Sequence, residues 1–66
     1  MAVLKVIEIM SSSKKSWEDA AATGIAKASK TLKNIRSAWV QDQSIVDEKG
    51  KVKEYRESLK LSFEVV

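Results

Sequence analysis

Residues 52–65, VKEYRESLKLSFEV, alternate in character along their whole length. Tyr55, Leu59, Leu61, Phe63 and Val65 fall on one side. Glu54, Arg56, Ser58, Lys60, Ser62 and Glu64 fall on the other. Successive strand side chains point to opposite faces, so the pattern predicts one strand from about Val52 to Val65 with an apolar and a polar side. Such a strand is long for a chain of 66 residues, and its apolar side demands a cover.

A single helix is available to provide it. Apolar or small residues recur at Trp17, Ala21, Ile25, Ala28, Leu32 and Ile35, at spacings of three and four, which is one face of a helix over 16–35. Ser16 is the expected N-cap, with Asp19 where a capping box prefers Glu or Gln. Glu18 and Asp19 sit in the first turn, and Lys27, Lys30, Lys33 and Arg36 crowd the end, as the helix dipole favours. Ala20, Ala21, Gly24 and Ala28 are small enough to let a sheet approach closely.

The remaining segments read as two more strands. Residues 2–10, AVLKVIEIM, are short and rich in Val and Ile, with apolar groups on both faces. The serines at 11–13 then form a polar break. Residues 38–46, AWVQDQSIV, read as a strand, and DEKGK supplies turn chemistry, with Gly50 free to take positive φ. The expected architecture is α+β: one domain over 1–66, in the order β-α-β-β, with a three-stranded antiparallel sheet wrapped around one helix. The connection through the helix is either antiparallel or a crossover. A layer this thin leaves open edges and a side that one helix does not cover, so self-association is expected.

Composition excludes several classes. Without cysteine there is no disulfide or thiol chemistry, and without histidine a zinc site would need carboxylates alone. No apolar run reaches a membrane span, and the N-terminus lacks the order of a signal peptide, so a soluble cytoplasmic protein is expected, without a membrane partner. The net charge of +3 is mild and mixed. The lysine stripe reads as a solvated outer helix face, with no nucleic-acid partner. Serines 11–13 have no activating base, and no paired carboxylates, phosphate loop or metal box appears, so an enzyme is not expected.

KVIEIM, the Ser-rich turn, SWEDAAATGIAKASKTLKNI, AWVQDQSIV and KEYRESLKLSFEV together resemble the dodecins, over about residues 4–65. The resemblance implies a protomer whose sheet wraps its helix and whose copies form a hollow homododecamer. It also implies non-enzymatic storage of flavin (riboflavin or FMN) stacked between indoles at contacts between chains. Aligned on its asparagine and valine, NIRSAWV places the family's stacking tryptophan at Ser37, two residues before Trp39. The glutamine that meets the flavin edge is here Arg56. The chain also resembles the divergent calcium dodecins, which share SWE, IR before the second strand, YR, and an ending like KL.SF, and which lack the flavin tryptophan.

The candidate ligand-contacting positions are therefore Ser37, Trp39, Gln43 and Arg56. Trp39 reads first as a packing anchor between chains and second as a ligand platform, Trp17 as a lid over the sheet edge, and Arg56 as the partner of Asp42 or Glu54. The carboxylates Asp42, Asp47, Glu48, Glu54, Glu57 and Glu64 are the available hard-cation ligands, with Asp42, Asp47 and Glu54 as the candidate calcium set assembled across chains. The expected function is a homo-oligomeric shell that binds a small ligand or ion, with the flavin position altered and calcium as the candidate cation. The alternatives are flavin storage through Trp39 and a purely structural assembly.

Overall fold

In the computed structural model, described over residues 3–65, β1 (Val3–Ser13) leads into α1 (Trp17–Ala28), and β2 (Ile35–Glu48) and β3 (Lys51–Val65) follow as a hairpin. The sheet order is β1-β3-β2, with both outer strands antiparallel to β3. The helical connection is therefore a crossover, and β3 returns to fill the gap between β1 and β2.

The hairpin turn is set by two residues of positive φ, Lys49 at 54° and Gly50 at 79°. A two-residue loop with both central residues left-handed twists in the same sense as the strands it joins. The helix starts as its sequence predicts: the Ser16 side chain accepts a 3.0 Å hydrogen bond from the Asp19 backbone N–H. Asp19 in turn accepts from the Ser13 hydroxyl at 2.6 Å, which ties the helix start to the end of β1.

Three boundaries differ from the sequence expectation. The helix ends at Ala28 rather than 35, capped by Ser29, whose N–H donates to the Ile25 carbonyl. Leu32 lies in the connection, and Ile35 opens β2 after Asn34 turns the chain with φ 63°. The basic stripe is broken accordingly: Lys27 stays on the helix, while Arg36 lies in β2 and pairs with Glu64 at 2.7 Å. Second, β2 runs from Ile35 to Glu48, longer than 38–46 at both ends. Third, serines 11–13 belong to β1, because their backbone pairs with Glu57, Arg56 and Tyr55 of the central strand. The expected start of that strand at Ala2 lies outside the described residues.

The alternation of β3 holds: Leu59 and Leu61 are fully buried beneath the helix, together with Ala20. Gly24 lets the helix lie close, since a Cβ there would stand 2.9 Å from the Ser11 Cβ. The helix packs on β1 and β3, and the helix-facing residues Val40 and Ile45 of β2 stay about half exposed. On the opposite side Leu4, Val6, Met10 and Trp39 are exposed as well.

The protomer measures 50 × 19 × 14 Å, with a radius of gyration of 13.4 Å. A self-contained chain of this length would have a radius of roughly 11 Å. Its accessible surface of 5042 Å² likewise exceeds the roughly 4,200 Å² of a typical monomer of this mass. The fold leaves much of its apolar surface for something else to cover.

Candidate functional site

The side of the sheet away from the helix carries most of the candidate residues. Cross-strand partners place Ser37 beside Ser62, Trp39 beside Lys60, Asp42 beside Ser58, Ser44 beside Arg56 and Val46 beside Glu54. Ser37, Trp39, Asp42, Arg56 and Glu54 thus share one face. A bulge between Val40 and Asp42 makes this so. The extra residue resets the alternation, because one inserted position exchanges the two faces of everything that follows.

The same bulge sends Gln43 to the opposite face. Its Nε2 donates to Glu57 Oε1 at 2.8 Å, beneath the helix side of the sheet. Gln43 therefore does not join Ser37, Trp39 and Arg56 within one chain. The four ligand-contacting candidates divide three to one.

Ser37 and Ser62 pair through their hydroxyls at 2.6 Å. Ser62 is buried although it lies on the polar side, since the central strand is flanked on both edges. Trp39 leaves its indole 51% exposed on the same face. Trp17 covers the other side of the hairpin: its ring meets Tyr55 edge-on, with centroids 5.2 Å apart, and its Nε1 donates to the Ser44 carbonyl at 3.2 Å. That is the lid over the sheet edge expected from its position.

Arg56 Nη2 lies 3.3 Å from Glu54 Oε1, an ion pair along one face of β3. Asp42 is exposed, and its Oδ1 accepts from the Gln43 backbone N–H at 3.0 Å. Asp47 is exposed near the hairpin end. Asp42 is level with Ser58, four strand positions from Glu54, or roughly 13 Å along the sheet. Among the described residues, no three Asp, Glu, His or Cys side chains converge on one point. Asp42, Asp47 and Glu54 do not form a cation site within a single chain.

Sequence reasoning grouped Glu57 with the carboxylates available to a hard cation. It is 2% exposed, faces the helix, and keeps Oε2 buried without a hydrogen-bond partner among the described residues. The signal was present: in the alternation of β3, Glu57 falls in phase with Tyr55, Leu59 and Leu61.

Comparison with known proteins places this geometry. The chain matches the family model for Dodecin over residues 3–66. It is 42% identical over 66 residues to the calcium dodecin of Mycobacterium tuberculosis, covering 98% of this chain and 92% of that protein. The crystal structure of that calcium dodecin, a calcium-chelating antigen with a calcium-binding site, matches with a TM-score of 0.83 over 97% of this chain and 91% of the other. The backbone is also similar to a dodecin of T. thermophilus, with a TM-score of 0.94 at 27% identity, covering 100% of this chain and 98% of that one. For the dodecin of Streptomyces coelicolor the TM-score is 0.95 at 25% identity, covering 98% and 93%.

Proposed function

The chain belongs to the dodecin family, and from that premise we propose that it is a non-enzymatic dodecameric shell that holds a small ligand or a hard cation between its chains. One observation carries the reading. The single helix covers only part of one sheet face, and Val6, Met10, Trp39, Val40 and Ile45 are left about half exposed or more. Copies of the same chain complete that burial, and the spaces enclosed between them form the binding sites. The mechanism is equilibrium sequestration: groups from several chains exclude water around a ligand and leave it chemically unchanged.

A cation of the calcium class is favoured over flavin. The position of the family's stacking aromatic is held by Ser37, whose hydroxyl is engaged with Ser62. A serine offers no plane, whereas each aromatic face against a flat ring contributes about 1–3 kcal/mol. The 42%-identical relative is named for calcium. Asp42, Asp47 and Glu54 supply hard oxygen ligands, and ligands from neighbouring chains around a symmetry axis bring enough of them together. Arg56, paired with Glu54, holds that carboxylate in place and competes with a cation for it.

Flavin binding through Trp39 is the second reading, favoured by the indole plane left half exposed on the face that Ser37 shares. Titrating metal-free protein separates the two. The first reading expects a melting temperature that rises with calcium and falls with chelator, while riboflavin fluorescence stays unquenched. Quenching at micromolar flavin without a calcium response supports the second. Inertness to both contradicts both and leaves a structural assembly.

A further inference from the structure

The net charge of +3 is not spread over the molecule. Residues 14–33, which carry the chain from β1 through the helix and past its end, hold five lysines against two acids. They account for the whole net charge, and the rest of the sequence is neutral in sum. All five lysines are exposed. Among the described residues none of them is in an ion pair, since the pairs that form use Arg36, Lys53, Arg56 and Lys60. The helix side of the protomer therefore carries a surplus of unpaired ammonium groups.

A groove of about 430 Å³ opens on that side, between the helix and β1. Sites for small molecules usually enclose about 300–1,000 Å³. The helix wall presents Thr23 and Lys27, four residues apart and so stacked on one helical face. The strand wall presents Ser11 and Ser12, with Ile9 and Met10 as its apolar part. No carboxylate lines the groove: Glu57, the register partner of Ser11, is buried beneath the helix. A bare helix C-terminus repels an anion, but the carbonyls of Ile25 and Ala28 there are already taken by the N–H groups of Ser29 and Leu32. An ammonium with hydroxyl donors and no acid is a lining for an anion.

We infer that this groove binds a small organic phosphate. The Lys27 ammonium and the Thr23 hydroxyl hold the phosphate, with the β1 serines opposite, and the organic part lies against Ile9 and Met10. A phosphate monoester brings up to two negative charges and three acceptor oxygens, so it engages the ammonium and a hydroxyl together. The site goes beyond the calcium and flavin readings above. It lies on the other side of the sheet from Ser37, Trp39 and Arg56, and it uses none of Asp42, Asp47 and Glu54. It is complete within one chain, so every copy in an assembly carries one.

Isothermal titration of the assembled protein with phenyl phosphate tests it, with inorganic phosphate and phenol as the two halves of the probe. The wild type should take up about one phenyl phosphate per chain, more tightly than either half. Lys27→Ala should weaken binding at least about tenfold, because it removes a charge-assisted hydrogen bond. Lys51→Ala, which removes an exposed lysine at the start of β3, should leave it within about twofold, since distant surface charge is screened. No saturable binding by the wild type overturns the site. Equal losses in K27A and K51A overturn it as well, because general attraction to a basic protein would then suffice. Inorganic phosphate binding as tightly as phenyl phosphate also overturns it, leaving an adventitious ion only. If K27A does not assemble, Thr23→Val carries the test: it keeps the side-chain shape and removes the hydroxyl, so affinity should fall at least about threefold, and unchanged affinity overturns the assignment. No outcome here depends on calcium or flavin, so those readings stand or fall separately.

Discussion

Ser37 and Ser62 face each other across β2 and β3 with their hydroxyl oxygens 2.6 Å apart, closing the spot where the dodecin resemblance places a stacking tryptophan. Ser62 is buried in the central strand. A local hydrogen bond of this kind is worth about 1 kcal/mol.

Replacing Ser37 with tryptophan should therefore create flavin affinity. S37W puts an indole on the face that already carries Trp39. One added stacking plane at about 1–3 kcal/mol corresponds to roughly 5- to 150-fold tighter binding. Quenching of riboflavin fluorescence measures it. Equal quenching in the wild type and S37W would mean that Ser37 does not occupy the stacking position.

Gly24 is needed for the helix to reach the sheet. In G24A the new Cβ would meet the Ser11 Cβ at 2.9 Å, an atom fixed to the strand backbone. Alanine's better helix propensity returns about 1 kcal/mol, and the overpacking costs about 1–3 kcal/mol, so the net change is destabilising or near zero. Adding Ser11→Gly removes the clashing atom. The double variant should recover more stability than the sum of the single changes allows, as read by denaturant titration at fixed protein concentration.

The hairpin carries a correctable strain. Lys49 adopts φ 54° beside Gly50 at 79°. Asparagine tolerates that region far better than lysine, and Asn-Gly is the preferred pair for this turn. K49N should stabilise the protein by about 1 kcal/mol, whereas Gly50→Ala should destabilise it by a similar amount. Thermal melts of both variants against the wild type check the opposite signs.

At the helix start, Ser16→Ala removes the acceptor for the Asp19 N–H and should cost about 1 kcal/mol. Ser16→Asp should restore most of the loss. Denaturant midpoints with unchanged slopes would show that the cap alone was altered.

Much of this fold was legible because it follows from period and caps. The β3 alternation, the Ser16 cap and the 49–50 turn each answer to a local rule, and each appears where it was expected. The helix end was not legible, because Leu32 and Ile35 continue the 3–4 spacing by coincidence while Asn34 ends it through a left-handed backbone. Serines 11–13 looked like a loop because nothing local favours a strand there; pairing with β3 makes it one.

The candidate site was half legible for a similar reason. Same-side placement of Ser37 and Trp39 follows from simple alternation. Which sides Asp42 and Gln43 take depends on a bulge that no sequence period reveals. Glu57 was visible as a charge on an apolar phase. Its burial depends on being in the central strand, which the order β1-β3-β2 decides.

The central claim is that copies of this chain complete the burial that one copy leaves unfinished. Native mass spectrometry, with light scattering on the same sample at micromolar concentration, measures it directly. The account predicts a species of about 89 kDa (twelve times 7.4 kDa) and no substantial folded monomer. A stable, cooperatively folded species at 7.4 kDa would contradict it.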